Sequence, residues 1–162
     1  MRKVISNTTP LIGLADIGCF DILQKLYKEI MIPAAVLEEV KSEPAKTLVR
    51  NSDFIHVLPV AESKSRKMFS SRLHAGEVEV MLLAEEKQAD LLIMDDNAAK
   101  KTAKFLGFNV TGTLGILLKA KREGYINEVR PLLDKLQDTG FYVSPKIRQY
   151  VLEEAEEIIS RG

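Results

Sequence analysis

Two glutamates occupy positions where helix geometry turns them toward buried groups. At 100° per residue, Glu77 lies roughly 200° around its helix from Ala75, inside an apolar arc centred near about 240°. A buried carboxylate is costly unless it is paired, hydrogen-bonded or bound to a metal ion. Glu39 lies about 60° from Val36, at the edge of an apolar stripe, whereas Glu38 points away. The simpler interpretation makes Glu77 a first-turn anion that suits the helix dipole, and Glu39 a boundary residue.

Other polar residues follow two of the predicted strands. Asp95 and Asp96 come directly after the apolar run 91–94, and Asn7 follows the short strand 4–5, with the hydroxyls of Thr8 and Thr9 next to it. Parallel strands end at one edge of a sheet, where open α/β sheets bind ligands. A helix N-cap explains one of the two aspartates and leaves the other unexplained. Four separate segments therefore offer oxygen ligands, a set that suits Mg²⁺ or Mn²⁺ rather than zinc.

The composition excludes several other kinds of site. Cys19 is the only cysteine, so no internal disulfide and no cysteine-based zinc site can form, and His56 and His74 lack the spacing of a metal-binding pair. Basic and acidic residues number 23 each, so nucleic acid must be bound by a local patch. No apolar run approaches about 18 residues, and no signal-peptide cleavage site follows the N-terminus. We therefore expect a soluble, cytoplasmic protein without a membrane partner.

Basic side chains follow the two aspartates along the chain. Lys100, Lys101 and Lys104 form one stripe on the helix after Asp96, and Arg72 belongs to a second basic cluster. These side chains are candidates to bind the phosphates of a nucleic acid beside the acidic residues, and a solvated helix face is the alternative. Tryptophan is absent and aromatic residues make up 6% of the chain, so no base-stacking surface is predicted.

Short apolar runs alternate with helical periods, which predicts an α/β fold with a parallel sheet covered by helices. The 162 residues suit one domain over 1–162. Predicted strands lie at 4–5, 30–32, 54–58, 91–94 and 108–110. Predicted helices lie at 10–15, 20–27, from 33, from 77 to near 88, 97–106, about 113–122, 128–139 and 145–160. The last helix carries an apolar stripe that packs on its own domain or on a partner.

Four segments, in this order, resemble the PIN-domain family, a ribonuclease fold that includes the VapC-type toxins of toxin–antitoxin modules. They are VISNTTPLI at 4–12, IPAAVLEEV at 32–40, AGEVEVMLLAEE at 75–86 and LLIMDDNAAKKTAKFLGFNVTGTLGIL at 91–117. The GTLG at 112–115 resembles a little-characterised prokaryotic subgroup of that family. The resemblance covers roughly residues 1–140 and implies a three-layer α/β/α fold with a central parallel sheet.

The resemblance also implies a metal site and its residues. Proteins of this family gather acidic residues at one sheet edge to bind Mg²⁺ or Mn²⁺. The implied catalytic and metal-binding acids of this chain are Glu39, Glu77, Asp95 and Asp96. Asn7 stands where the family normally has Asp, and Thr9 supplies the hydroxyl two positions on, so both are expected to orient a metal-bound water. The missing charge at Asn7 weakens the expected metal affinity.

These features favour a metal-dependent ribonuclease that hydrolyses RNA phosphodiesters, with the metal ion activating water and stabilising charge on the phosphate. By resemblance, the expected setting is a toxin–antitoxin module, with a homodimer and a small antitoxin protein as partners. The alternative is a catalytically weakened PIN fold, marked by Asn7, that binds RNA or a protein without cleaving it.

Overall fold

Five parallel strands form the sheet of this protein, whose computed structural model describes residues 2–158. The strands are β1 (Val4–Ser6), β2 (Ile30–Pro33), β3 (Ile55–Leu58), β4 (Leu91–Ile93) and β5 (Val110–Thr111). Their order across the sheet is β3-β2-β1-β4-β5, and each neighbouring pair is parallel. The predicted α/β fold with a central parallel sheet is confirmed.

Ten helices accompany these strands within the described residues. They are α1 (Thr8–Asp16), α2 (Asp21–Tyr27), α3 (Ala34–Glu39), α4 (Ala45–Asn51), α5 (Ser65–Ser70), α6 (Ala75–Lys87), α7 (Asn97–Phe105), α8 (Thr113–Arg122), α9 (Arg130–Asp138) and α10 (Pro145–Glu154). The short helices α4 and α5 were not predicted. Between residues 2 and 158, no helix is long and apolar enough to cross a lipid bilayer.

The predicted end of the last helix was wrong. α10 stops at Glu154, and not at 160, because Glu156 adopts a left-handed conformation with φ of 60°. Glu156 N donates to the Glu153 carbonyl at 3.0 Å and Glu157 N to the Leu152 carbonyl at 2.9 Å, which is the Schellman termination motif. Positions 159 and 160 of the predicted helix lie outside the described residues. α10 packs against α8, and its residues Val151 and Leu152 are buried.

Burial along the central strands explains the layered architecture. All three residues of β1 and all three of β4 are buried. Successive side chains of a strand point to opposite faces of a sheet, so helices cover both faces of these strands. The fold therefore has three layers, with the sheet between two layers of helices.

The strand order creates a crevice at the carboxyl edge of the sheet. The chain runs from β1 outward through β2 and β3, and then returns to the other side of β1 to form β4 and β5. Ligands of open α/β sheets bind where the strand order reverses in this way. Ser6 pairs with Ile93, and Asn7 N donates to the Ile93 carbonyl at 2.8 Å. The residues that follow β1 and β4 therefore lie side by side.

Candidate functional site

Asn7 begins the site at the end of β1. It is the N-cap of α1, with an extended backbone at φ −82° and ψ 178°, and is only 6% exposed. Its side chain does not cap the helix. The amide oxygen is therefore available as a neutral ligand, which can contact a hard cation but brings no charge to it.

Glu39 connects the start of α1 with the start of α6. Its Oε2 accepts a hydrogen bond from Thr8 Oγ1 at 2.7 Å, and its Oε1 accepts one from Gly76 N at 3.0 Å. A Cβ on residue 76 would lie 2.5 Å from Glu39 Oε1, so only glycine allows this approach. The contact places the Glu39 carboxylate at the N-terminus of α6, where the helix dipole favours an anion.

Glu77 lies next to this contact and is 6% exposed, as its place in the apolar arc predicted. Its Oε1 accepts a hydrogen bond from His74 N at 3.0 Å, one half of a capping box. Burial raises the pKa of Glu77, and the charges of Asp96 and Glu39 raise this pKa further, although His74 opposes them. Asp96 and Glu39 therefore each lie near enough to Glu77 for their negative charges to disfavour its ionisation.

Asp96 is the N-cap of α7, and its Oδ2 accepts a hydrogen bond from Ala99 N at 2.9 Å. One of the two adjacent aspartates thus has the capping role that the simpler interpretation gave it. The same carboxylate is the one whose charge acts on Glu77. A single capping bond leaves Asp96 Oδ1 without a hydrogen-bond donor among residues 2–158, so this oxygen is open to a cation.

Asp95 turns away from these acids toward α8. Its Oδ1 accepts a hydrogen bond from Thr113 N at 2.7 Å, and its Oδ2 accepts one from Thr113 Oγ1 at 2.8 Å. Burial raises the pKa of Asp95, while the Thr113 hydrogen bonds and the Lys100 charge oppose that rise. Asp95 is therefore bound to the start of α8, whereas Asp96 and Glu39 lie near enough to Glu77 for their charges to act on it.

The remaining site residues lie at the surface around the acids. Thr9 is exposed, one residue beyond the hydroxyl that does contact Glu39. Lys101 and Lys104 are exposed on α7. Arg72 is exposed and lines a cavity of about 410 Å³ together with residues near the end of α7. Lys100 is half-buried beside Asp95.

Thr8 and His74 position the acids of the site, and only His74 was missed from the sequence. Thr8, predicted as a hydroxyl beside Asn7, donates its hydrogen bond to Glu39. His74 caps α6 and acts on Glu77, and its place three residues before that acid matches a capping box. Both residues position the predicted acids.

The donor chemistry of the site fits a hard divalent cation. The candidate ligands are the Asn7 amide and the carboxylates of Glu39, Glu77 and Asp96, all of them oxygen ligands of the kind that suits Mg²⁺ or Mn²⁺. In the part of the chain that the structure describes, no three Asp, Glu, His or Cys side chains stand close enough to hold one ion directly. Mg²⁺ keeps several of its waters and needs only one or two carboxylates. Burial and the charges of Asp96 and Glu39 raise the pKa of Glu77, and a cation here would offset those charges.

Comparison with known proteins identifies the family of this chain. The family model DUF3368, described as a PIN domain, matches residues 3–157. No curated protein matches the chain. The matched range includes the strand ends, Glu39, the start of α6 and Asp96. The chain therefore belongs to the PIN-domain family.

Proposed function

We propose that this protein is a metal-dependent endoribonuclease that cleaves RNA with Mg²⁺ or Mn²⁺ at Glu39, Glu77 and Asp96. One observation carries the proposal: the buried Glu77 carboxylate lies one residue from Gly76, whose N–H donates to Glu39, and burial together with the charges of Asp96 and Glu39 raises the pKa of Glu77. Acids that repel one another at the carboxyl edge of a sheet destabilise the fold, so their presence there favours a functional role over a structural one.

The site residues divide the work of hydrolysis between them. Glu39, Glu77 and Asp96 would hold the cation, which would supply a Lewis acid for activating water and stabilising charge on the phosphate. Glu77 is held by His74 N and has a raised pKa, as suits a group that accepts a proton from the attacking water. The Asn7 amide and the Thr9 hydroxyl orient that water, and Thr8 fixes Glu39. Asp95 positions the start of α8 through Thr113.

Basic residues around the site bind the RNA backbone in this proposal. Lys101 and Lys104 are exposed on the helix that Asp96 begins, and Arg72 is exposed near the end of that helix. Their charges attract phosphates, and the protein as a whole is neutral, so binding depends on this local patch. We further propose that the protein acts in the cytoplasm as the toxin of a toxin–antitoxin module, as a homodimer with a small antitoxin partner.

A second candidate function is binding of RNA or a protein without cleavage. The observation that favours it is the buried neutral amide of Asn7 at the strand end. An Asp there would add a fourth negative charge to the cation site, and its absence weakens the attraction of that site for a metal ion.

The test is cleavage of single-stranded RNA with Mn²⁺, with Mg²⁺ and with EDTA. We expect cleavage by the native protein with either metal and none in EDTA. Glu77→Gln is expected to lose activity by about a hundredfold or more. Glu85→Gln, which changes an exposed acid of the same helix, is expected to cleave as the native protein does. Cleavage that persists in EDTA, or that survives in Glu77→Gln, would overturn the proposal.

Asn7→Asp separates the two candidate functions. A nuclease with reduced metal affinity gains activity at low metal concentration when the carboxylate is added. A native protein that cleaves nothing, together with an Asn7→Asp variant that does, would identify the weakened, binding-only form. Equal cleavage by both proteins would show that the charge at position 7 is not needed.

A further inference from the structure

A cleft of about 360 Å³ adjoins the acidic residues and has no part in the proposed chemistry. Its walls come from the start of α7, the start of α8 and the segment that joins α9 to α10. Asp95 and Asn97 both line it, and they flank Asp96 in the sequence. Because consecutive Cα atoms lie about 3.8 Å apart, the cleft begins within one residue of the proposed metal site.

One wall of the cleft carries a cation. Lys100 is half-buried there, and a Cβ on Gly112 would lie 3.0 Å from Lys100 Nζ, so the glycine lets the ammonium rest against the loop before α8. The neighbouring Asp95 uses both oxygens to accept from Thr113. Among the described residues, Lys100 forms no ion pair within 4.0 Å. Its ammonium therefore keeps donors for an anionic ligand.

Another part of the cleft lining carries aromatic rings. Tyr142 is 83% exposed and lines the cleft beside Phe141, which is half-buried. The next residue, Val143, is buried, and its carbonyl accepts a hydrogen bond from Gln137 Nε2 at 3.4 Å, so the chain that carries the rings is anchored to α9. An exposed aromatic ring on an anchored segment of backbone offers a flat face on which a base can stack.

We propose that this cleft binds one nucleotide of single-stranded RNA next to the phosphate that is cleaved. The base stacks on Tyr142, and Lys100 binds the phosphate of the same nucleotide. A positive group combined with an exposed ring is how proteins bind single strands, whose bases are free to leave the stack. This inference rests on the proposed function, because it takes RNA as the substrate.

The test measures the affinity of a fluorescently labelled single-stranded RNA by anisotropy, in EDTA so that the RNA stays intact. We expect Tyr142→Ala to weaken binding by about fivefold or more, the range that loss of one stacked base produces. Tyr142→Phe keeps the ring and is expected to stay within about twofold of the native affinity. Tyr150→Ala is the matched control, since Tyr150 is 56% exposed on α10 and does not line the cleft.

Lys100→Ala tests the cationic wall. We expect weaker RNA binding. The slope of log K for RNA binding against log salt concentration is expected to be less steep by about 0.7, the value for one phosphate contact on a single strand. Lys46→Ala, which removes an exposed lysine from α4, is expected to leave both quantities unchanged.

The outcomes separate this inference from the nuclease proposal. The cleft proposal is overturned if Tyr142→Ala and Lys100→Ala both bind RNA with the native affinity, or if the native protein binds no RNA. If the native protein cleaves RNA and both variants bind RNA as tightly as it does, the cleft proposal fails and the nuclease proposal stands. If RNA binding depends on Tyr142 but the protein cleaves no RNA at any metal concentration, the cleft proposal is supported and the nuclease proposal fails.

Discussion

Glu39 Oε1 accepts a hydrogen bond from Gly76 N at 3.0 Å, across 37 positions of the sequence. This bond ties the end of α3 to the first turn of α6 and places the Glu39 carboxylate one residue from Glu77. The site therefore depends on a glycine that carries no functional group, because a Cβ at that position would occupy the space of the carboxylate.

Gly76→Ala is predicted to weaken the metal site without unfolding the protein. The new Cβ would lie 2.5 Å from Glu39 Oε1 and must displace that carboxylate, whereas alanine is the better helix former by up to about 1 kcal/mol. We expect Mn²⁺ affinity, measured by calorimetric titration, to fall by about tenfold. Gly13→Ala is the matched control, because its Cβ would meet Leu136 Cδ1 at an ordinary 3.4 Å. Native Mn²⁺ affinity in Gly76→Ala would show that Glu39 is not part of the site.

Glu77→Gln is predicted to stabilise the protein as pH rises. The pKa of Glu77 is raised in the folded state by burial and by Asp96 and Glu39, so its ionisation costs no stability below the unfolded pKa and costs most above the folded one. Glutamine removes that ionisation and still accepts the hydrogen bond from His74 N. The thermal unfolding midpoint in EDTA, followed from about pH 4 to about pH 8, is expected to exceed that of the native protein only toward the upper end.

The exposed Glu85 supplies the control for this pH dependence. Glu85→Gln is expected to follow the native curve throughout. A Glu77→Gln variant that is less stable than the native protein at neutral pH would mean that the carboxylate is already compensated within the fold. Added Mg²⁺ is expected to raise the midpoint of the native protein and to leave that of Glu77→Gln nearly unchanged, since only the native site binds the ion.

Local sequence patterns predict the fold and part of the candidate site. Apolar runs and helical periods locate most strands and helices, and the helical arc of α6 is enough to predict that Glu77 is buried. The sequence predicts an α10 that is too long, because the helix ends at a left-handed residue that is Glu156. Such positions usually carry glycine. A glutamate at position 156 does not indicate that a helix ends there.

The remaining features depend on contacts between distant segments. Asp95 and Asp96 are neighbours with the same side chain, and only the position of Thr113, set by the order of β4 and β5, decides which of them turns away. The aromatic wall of the cleft was missed for a similar reason. Tyr142 and Lys100 are distant in the sequence, and only the folded chain shows that both line one cleft.

Asp96→Asn and Asp95→Asn form a matched pair that tests this division of roles. Asparagine is as good an N-cap as aspartate, so Asp96→Asn keeps the bond from Ala99 N and loses only charge. Asp95→Asn keeps an acceptor for Thr113 N. We expect Asp96→Asn to lower Mn²⁺ affinity by about tenfold and Asp95→Asn to change it far less. A larger loss in Asp95→Asn would place its carboxylate on the metal.

Glu157 is predicted to give the opposite pH dependence from Glu77. It accepts hydrogen bonds from Val129 N at 2.7 Å, Arg130 N at 2.8 Å and Lys121 Nζ at 3.1 Å. Burial works to raise the pKa of Glu157, but these bonds and the Lys121 charge lower it overall. Its contribution to stability is therefore present above the unfolded pKa and is lost as pH falls through the folded one.

Glu157→Ala removes the acceptor from the N–H of Val129, a fully buried residue. We expect the free energy of unfolding to fall by about 1–3 kcal/mol at neutral pH, measured by urea denaturation. The difference from the native protein is expected to narrow at acid pH, where the native carboxylate becomes protonated as well. Glu154→Ala is the control, because that side chain is exposed in the last turn of α10. Equal losses in both variants, or a loss that does not change with pH, would show that the hydrogen bonds to Glu157 do not hold the end of α10 against α8 and α9.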